Sequence, residues 1–297
     1  MNYLKDYREG EKFVGTYLCK QKQILKTKAG KTYYSLTLQD KTGTADGKIW
    51  ELNNGIANFE PMDYIHCEGM VTSFQGNLQM NISRVRISDE GEYDPTDYVP
   101  CTNKDVGEMF SRILKYVASV QNKYLRKILE MYFVENKEFV DAFKKHSAAK
   151  SVHHGFMGGL LEHTLSVTDM CQYFAEHYPM IHRDLLITAA LFHDMGKIQE
   201  ISDFPMNDYT DDGQLLGHIY IGARCMENAA AQIPNFPPKL KNELVHCILE
   251  AMALHMADNA DAKLQTLTEV FTQAGDNMGW LGFNRMFESN LRKTSEE

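Results

Sequence analysis

Near residue 100 the spacing of apolar residues changes from alternation to recurrence every three or four positions, and one hydrophobic core cannot easily serve both periods. Before that point the signals are those of strands. Thr32 to Leu38 is rich in Thr and Tyr with rough alternation, and Thr44 to Trp50 follows a Lys-Thr-Gly turn. Tyr64 to Thr72 and Leu78 to Ile87 flank a Gln-Gly-Asn turn, and Phe13 to Leu25 reads as a long first strand. After Thr102 the spacing is helical, with Val106, Met109, Phe110, Ile113, Leu114 and Val117 on one stripe and Thr102 or Asn103 placed to cap it. Further helices are predicted near Lys123 to Val134, Lys137 to His146, Phe156 to His177, Arg183 to Met195, Leu215 to Gln232 and from Pro238 onward. The expected fold class is therefore α+β and multidomain.

Five strands, with a short helical piece at Gly55 to Phe59 between the third and fourth, suit a small Greek-key barrel of the OB type. The acidic stretch Asp89 to Pro100, with two prolines, reads as a connector. The boundaries predicted are a barrel over residues 1–90, a linker over 91–101 and an all-α domain over 102–297. A chain of 297 residues can fill two such cores.

Charge divides along the same line. Up to residue 90 there are 12 Lys/Arg against 11 Asp/Glu, and beyond it 19 against 29. Gly15 to Trp50 holds seven lysines and two acids, whereas ten of the eleven histidines follow residue 100. The front is locally basic and the back holds the candidate metal ligands. A net charge of −9 argues against a protein that coats nucleic acid over its whole surface. The start does not resemble a signal peptide, and the longest apolar runs fall short of the roughly 20 residues a membrane helix needs. Cytoplasmic residence and no membrane partner are expected. The six cysteines are scattered without a Cys-x-x-Cys, so free buried thiols are expected rather than disulfides or a thiolate zinc site.

The helical part carries the chemistry. Residues 191–197 read Leu-Phe-His-Asp-Met-Gly-Lys. Adjacent helical residues point about 100° apart, so His193 and Asp194 can both reach one ion in a groove between helices, with Lys197 near the same face. An isolated His-Asp pair is more often a solvated helix end. His163, in Gly-Gly-Leu-Leu-Glu-His-Thr, and Asp258, in His-Met-Ala-Asp-Asn-Ala-Asp-Ala, complete two nitrogens and two carboxylates. Such a set suits Mn, Fe, Co or Zn. A core histidine, a surface acid and a lysine answering a helix dipole are the plain alternatives for His163, Asp258 and Lys197.

The four residues resemble the His, His-Asp, Asp signature of the HD superfamily of metal-dependent phosphohydrolases. The runs Ala-Lys-Ser-Val-His-His-Gly-Phe-Met-Gly-Gly-Leu-Leu-Glu-His-Thr, Leu-Phe-His-Asp-Met-Gly-Lys and Tyr-Thr-Asp-Asp-Gly-Gln-Leu-Leu-Gly-His-Ile, behind an OB-like front domain, resemble the YhaM-type 3′-to-5′ exoribonucleases of Gram-positive bacteria over nearly the whole chain. That resemblance implies removal of nucleotides from the 3′ end of single-stranded RNA, with single-stranded DNA left open, using Mn²⁺ or a similar ion (Co²⁺, Fe²⁺ or Zn²⁺). The metal ligands implied are His163, His193, Asp194 and Asp258. Asp194 and Lys197 would act in catalysis, Lys197 by neutralising phosphate oxygens, and His218 as a second-tier ligand or phosphate contact. His153 and His154 are candidates to line the groove, Glu162 and Asp261 to orient ligands, and Arg224 to reach a phosphate, each with an ordinary structural or surface role as the alternative.

One departure from the resemblance follows Leu249, where such proteins carry a paired His-His-Gly and a Gly/Pro-rich loop before the equivalent of Glu250. The well-matched flanks favour a segment omitted over one deleted, and deletion would remove a ligand for a second ion, so one or two ions stay open. In the front domain, Lys28, Lys31 and Lys48, with Lys26, are candidates to track phosphates, and Tyr33, Trp50 and Phe74, with Tyr34, to stack bases. Alternation allows only one of Tyr33 and Tyr34 to face outward. The other readings are an HD phosphohydrolase of small nucleotides and a non-catalytic RNA-binding protein with a decayed site. A homo-oligomer is compatible with all three.

Overall fold

The computed structural model describes residues 2–53, 55–74, 76–150 and 154–293. Two compact units divide it, Met1–Pro100 and Cys101–Glu297. The first is a closed five-stranded barrel of order β1-β2-β3-β5-β4, built from β1 (Lys12–Lys26), β2 (Thr32–Asp40), β3 (Gly43–Ile49), β4 (Tyr64–Phe74) and β5 (Asn77–Ile87). All pairings are antiparallel except β3 with β5. Period-two patterning sends Leu36, Leu38, Ile65, Cys67, Met80 and Ile82 into the centre, where Phe13, Tyr17 and Phe59 complete the core.

Two expectations for this unit are corrected. Gly55 to Phe59 is not helical: Ile56 forms a parallel bridge with Val85, Val85 N–H donates to Gly55 O and Ala57 N–H to Val85 O, both at 2.9 Å. The open backbone groups of β5 offer these residues partners that a one-turn helix would lack. The linker over 91–101 also differs, because those residues pack on the barrel. Tyr93 stacks on Tyr64 with ring centroids 4.0 Å apart, Tyr98 and Val99 are buried, and Arg86 grips Glu92 through two hydrogen bonds. Pro95 begins a 3-10 turn capped by Asp94, so the proline serves a turn and not a spacer.

The second unit is mainly helical: α1 (Val106–Ser119), α2 (Lys123–Glu130), α3 (Lys137–Lys145), α4 (Gly159–His177), α5 (Arg183–Phe192), α6 (Lys197–Glu200), α7 (Asp211–Gln232), α8 (Pro238–Glu250) and α9 (Met252–Gln273). α2 runs on into a π turn, Met131–Glu135. α1 is capped by Asp105, whose carboxylate accepts from Glu108 N–H; Thr102, expected as a cap, instead donates its hydroxyl to Glu162. The unit is not all-α, since β6 (Trp280–Asn284) and β7 (Ser289–Arg292) form a hairpin near its end. Gly275, Gly279 and Gly282 interrupt helical propagation there. α4 is buried almost all round in its first half and α5 from Leu186 to Phe192, which places the polar residues of those stretches inside the protein.

Leu249 and Glu250 are consecutive residues of α8, and the helix closes with Ala251 N–H donating to Cys247 O. α8 turns into α9 at Ala251, whose backbone is extended.

Candidate metal centre and nucleic-acid face

His163 lies on the buried length of α4, His193 and Asp194 form the turn leaving α5, and Asp258 stands on α9. Tertiary packing brings all four together. His163 Nε2 is 3.2 Å from Asp194 Oδ2, 3.1 Å from Asp258 Oδ1 and 3.2 Å from His193 Nε2; His193 Nε2 is 3.5 Å from Asp194 Oδ2. Hydrogen bonds on the far side of each ring set the tautomers. His193 Nδ1–H donates to Ala190 O at 2.7 Å, and His163 Nδ1–H donates to Asp261 Oδ2 at 2.7 Å. With both rings neutral, each Nε2 presents a lone pair to the other and to two carboxylates.

Such a cage of acceptors needs a positive charge at its centre. Asp194 Oδ2 is buried and receives no hydrogen bond of good geometry, although Lys197 Nζ stands 2.8 Å away. Donors bound to one ion at ~2.1 Å stand ~3.0–3.4 Å apart, close to the spacing found here. Burial would lower the His163 ring, but the Asp194, Asp258 and Asp261 carboxylates outweigh it and raise its pKa well above the ordinary value. Burial lowers His193, keeping it a neutral ligand. Burial would raise the Asp194 carboxyl, yet Lys197 and the two imidazoles hold it well below the usual range. Two nitrogens and two carboxylates thus fit a divalent transition ion.

The surrounding shell was only partly foreseen. Asp261 Oδ2 also accepts from His154 Nε2 at 2.9 Å, so one carboxylate steadies two histidines. His153 lies outside the described residues. Glu162 is buried, bonds Thr102 and Lys104, and stands 4.0 Å from His154 Nδ1. Lys197 spends two of its three ammonium donors inside the protein, donating to Ala148 O at 2.7 Å and pairing with Asp194 at 2.8 Å. Arg224 lies over the Tyr220 ring on the surface.

His218 does reach the site, with Nε2 3.4 Å from Asp194 Oδ1. The residue that holds it, Glu200, escaped the sequence reading. Its carboxylate accepts from both the backbone N–H (3.0 Å) and Nδ1–H (2.9 Å) of His218. Gly217, at φ +73°, kinks α7 so that His218 can turn back toward Glu200. Gly196 permits the close crossing, because a Cβ there would sit 2.1 Å from His218 O. The signal available was the pair of glycines flanking Lys197 and His218.

On the barrel, β2 and β3 place Tyr33 opposite Trp50, and their rings stack at 4.6 Å. Trp50 Nε1–H donates to Asn81, which in turn donates to Thr72. Tyr34 points the other way, edge-on to Phe59, as alternation requires. Lys48 is tied to Ser35 and Asp46, and Lys31 pairs with Glu51, while Lys28 is exposed in the turn between β1 and β2. Phe74, at the tip of β4, is exposed and has no ring partner among the described residues.

Behind the closed OB-type barrel, residues 160–267, which carry the His, His-Asp, Asp cage, match the HD domain. Over most of its length the chain is similar to curated proteins named 3′-5′ exoribonuclease YhaM. Identity is 29% to that of Geobacillus sp. (strain WCH70), covering 80% of this chain and 78% of that protein. It is 28% to that of Bacillus subtilis (strain 168), covering 80% and 81%. It is 29% to that of Listeria innocua serovar 6a, covering 90% of each. Among solved structures, the second OB-fold domain of replication protein A from Methanococcus maripaludis aligns with 31% of this chain and 98% of its own, at 20% identity and a TM-score of 0.25.

Proposed function

We propose that this chain is a 3′-to-5′ exoribonuclease that hydrolyses single-stranded RNA one nucleotide at a time. The observation that carries the reading is the approach of two imidazole Nε2 atoms to 3.2 Å within two carboxylates, a donor set suited to a divalent cation. His163, His193, Asp194 and Asp258 would hold it, and Mn²⁺ is the ion we favour. When bound, the ion acidifies a water and polarises the phosphodiester. Asp261 keeps His163 in the ligand tautomer, Lys197 offsets the Asp194 charge, and His218, steadied by Glu200, contacts the phosphate. A second ion between His218 Nε2 and Asp194 Oδ1 would have two protein donors against four in the cage, so it would bind far more weakly.

The barrel supplies the strand. Tyr33 and Trp50 form the platform on which bases stack, with Lys28 and Lys31 for phosphates and Phe74 for a further base. Lys48 steadies β2 against β3 more than it meets RNA. Cys19, Cys67, Cys171, Cys225 and Cys247 are free thiols, and no helix among the described residues is long and apolar enough to cross a membrane. We place the activity in the cytoplasm, where reduced thiols and RNA coincide. A 5′-labelled single-stranded RNA with Mn²⁺ should give a ladder shortening from the 3′ end. Binding without cleavage would overturn this reading, and a preference for DNA would revise its substrate.

A further inference from the structure

Beside the cage the helical unit opens into a cavity of about 490 Å³ whose two ends differ in chemistry. One end is His193, Asp194, His218 and Asp258. The other is mostly apolar, formed by Ile219 of α7, Leu249 at the end of α8, and Met252 and Leu254 at the start of α9, with Glu250 and His255 among them. Leu254 is buried, but Leu249 is 48% exposed and Met252 77% exposed. Large apolar side chains left in water beside a charged cage mark a ligand surface more than a packing defect.

His255 lies three residues before Asp258 on α9, so the two neighbour each other on one side of the helix, about one turn or ~5 Å apart along its axis. That rise is close to the span of a ribose between a phosphate and a base. His255 makes no side-chain hydrogen bond among the described residues. An unengaged aromatic ring flanked by Met252 and Leu249 can take the face of a base, and any base, since each has a π surface.

We propose that this cavity is the binding site for the 3′-terminal nucleoside, with its phosphate at the cage and its base against Met252, His255 and Leu249. The inference rests on the exonuclease reading for the identity of the substrate, and its ligand class is a nucleoside 5′-monophosphate, the product released at each turn. Away from the cage the lining is mostly apolar, with Glu250 and His255 its charged or polar side chains, so stacking accepts all four bases with modest preference.

The test uses the full chain with Mn²⁺ and compares the binding of AMP and UMP with that of ribose 5-phosphate by calorimetry. Wild type should bind the nucleotides ~10-fold or more tightly than the base-free sugar phosphate, the range stacking supplies. The exposed-site variant Met252→Ala/His255→Ala should lose most of that difference while binding ribose 5-phosphate as before. Equal binding of nucleotide and sugar phosphate by wild type, or an undiminished preference in the variant, overturns the proposal. The two readings fail separately. A chain that cleaves RNA but shows no base-dependent binding loses the pocket alone. A chain that never cleaves RNA, yet prefers nucleotides through Met252 and His255, keeps the pocket and loses the exonuclease. Unchanged melting temperature in the variant excludes misfolding as the cause.

Discussion

His163 Nε2 and His193 Nε2 face each other at 3.2 Å while the opposite nitrogen of each ring donates a hydrogen bond, to Asp261 and to the Ala190 carbonyl. Two lone pairs at that distance repel unless a cation or a proton sits between them. The far-side bonds prevent either ring from flipping to relieve the repulsion, so the cage is organised before any ion arrives.

Metal should therefore stabilise the fold. At free Mn²⁺ 100 times its dissociation constant the gain is about 2.7 kcal/mol, or roughly 5–10 °C in the melting temperature of a unit this size. Differential scanning calorimetry with Mn²⁺ and then with excess chelator measures it. A transition indifferent to both would mean that the four residues hold no ion.

His193→Ala removes a cage donor and should reduce cleavage of single-stranded RNA to background while leaving RNA affinity within about twofold, since the barrel residues are untouched. Filter binding beside a cleavage assay reads both. Wild-type cleavage by this variant would place the active site elsewhere.

Asp261→Asn keeps the size of the side chain but loses the charge that steadies His163 and His154. Metal affinity should weaken by roughly 10–100-fold. Competition with a chelating dye gives the constant, and an unchanged value would show that His163 needs no support.

Gly196→Ala would drive a methyl into the His218 carbonyl, 2.1 Å from the built Cβ and part of the backbone. A cost of about 3 kcal/mol is expected, read as a lower midpoint in urea. Full stability would mean that the α6 and α7 crossing can open without penalty.

Trp50→Ala should weaken single-stranded RNA binding by about 1–3 kcal/mol, with a smaller loss of barrel stability of about 1 kcal/mol from the lost Tyr33 stacking. Lys28→Ala should instead flatten the dependence of affinity on salt by close to one phosphate contact. Affinity measured across a salt series separates the two, and an indifferent Trp50→Ala would remove the Tyr33–Trp50 pair from the binding face.

Much of this molecule was legible in its order of residues. The change of period near residue 100 separates barrel from helices, because side-chain direction repeats every two residues in one and every 3.6 in the other. The His163, His193, Asp194 and Asp258 set was expected from its resemblance to the HD signature, carried by short runs far apart in the chain. What lay beyond reach depends on contacts between distant segments. Tyr93 and Tyr98 look like linker residues until the barrel wall beside them is seen, and Gly55 to Phe59 follows the exposed backbone of β5. Glu200 is an unremarked acid on a four-residue helix until Gly217 turns His218 onto it across 18 positions. Lys197, drawn from the sequence toward a phosphate, is claimed by Asp194 and Ala148 O once the interior closes. The sequence determined which residue types were available and on which face of each element they lay. Only tertiary structure decided which charges met, because burial removes water as the competing partner and makes each nearby group count.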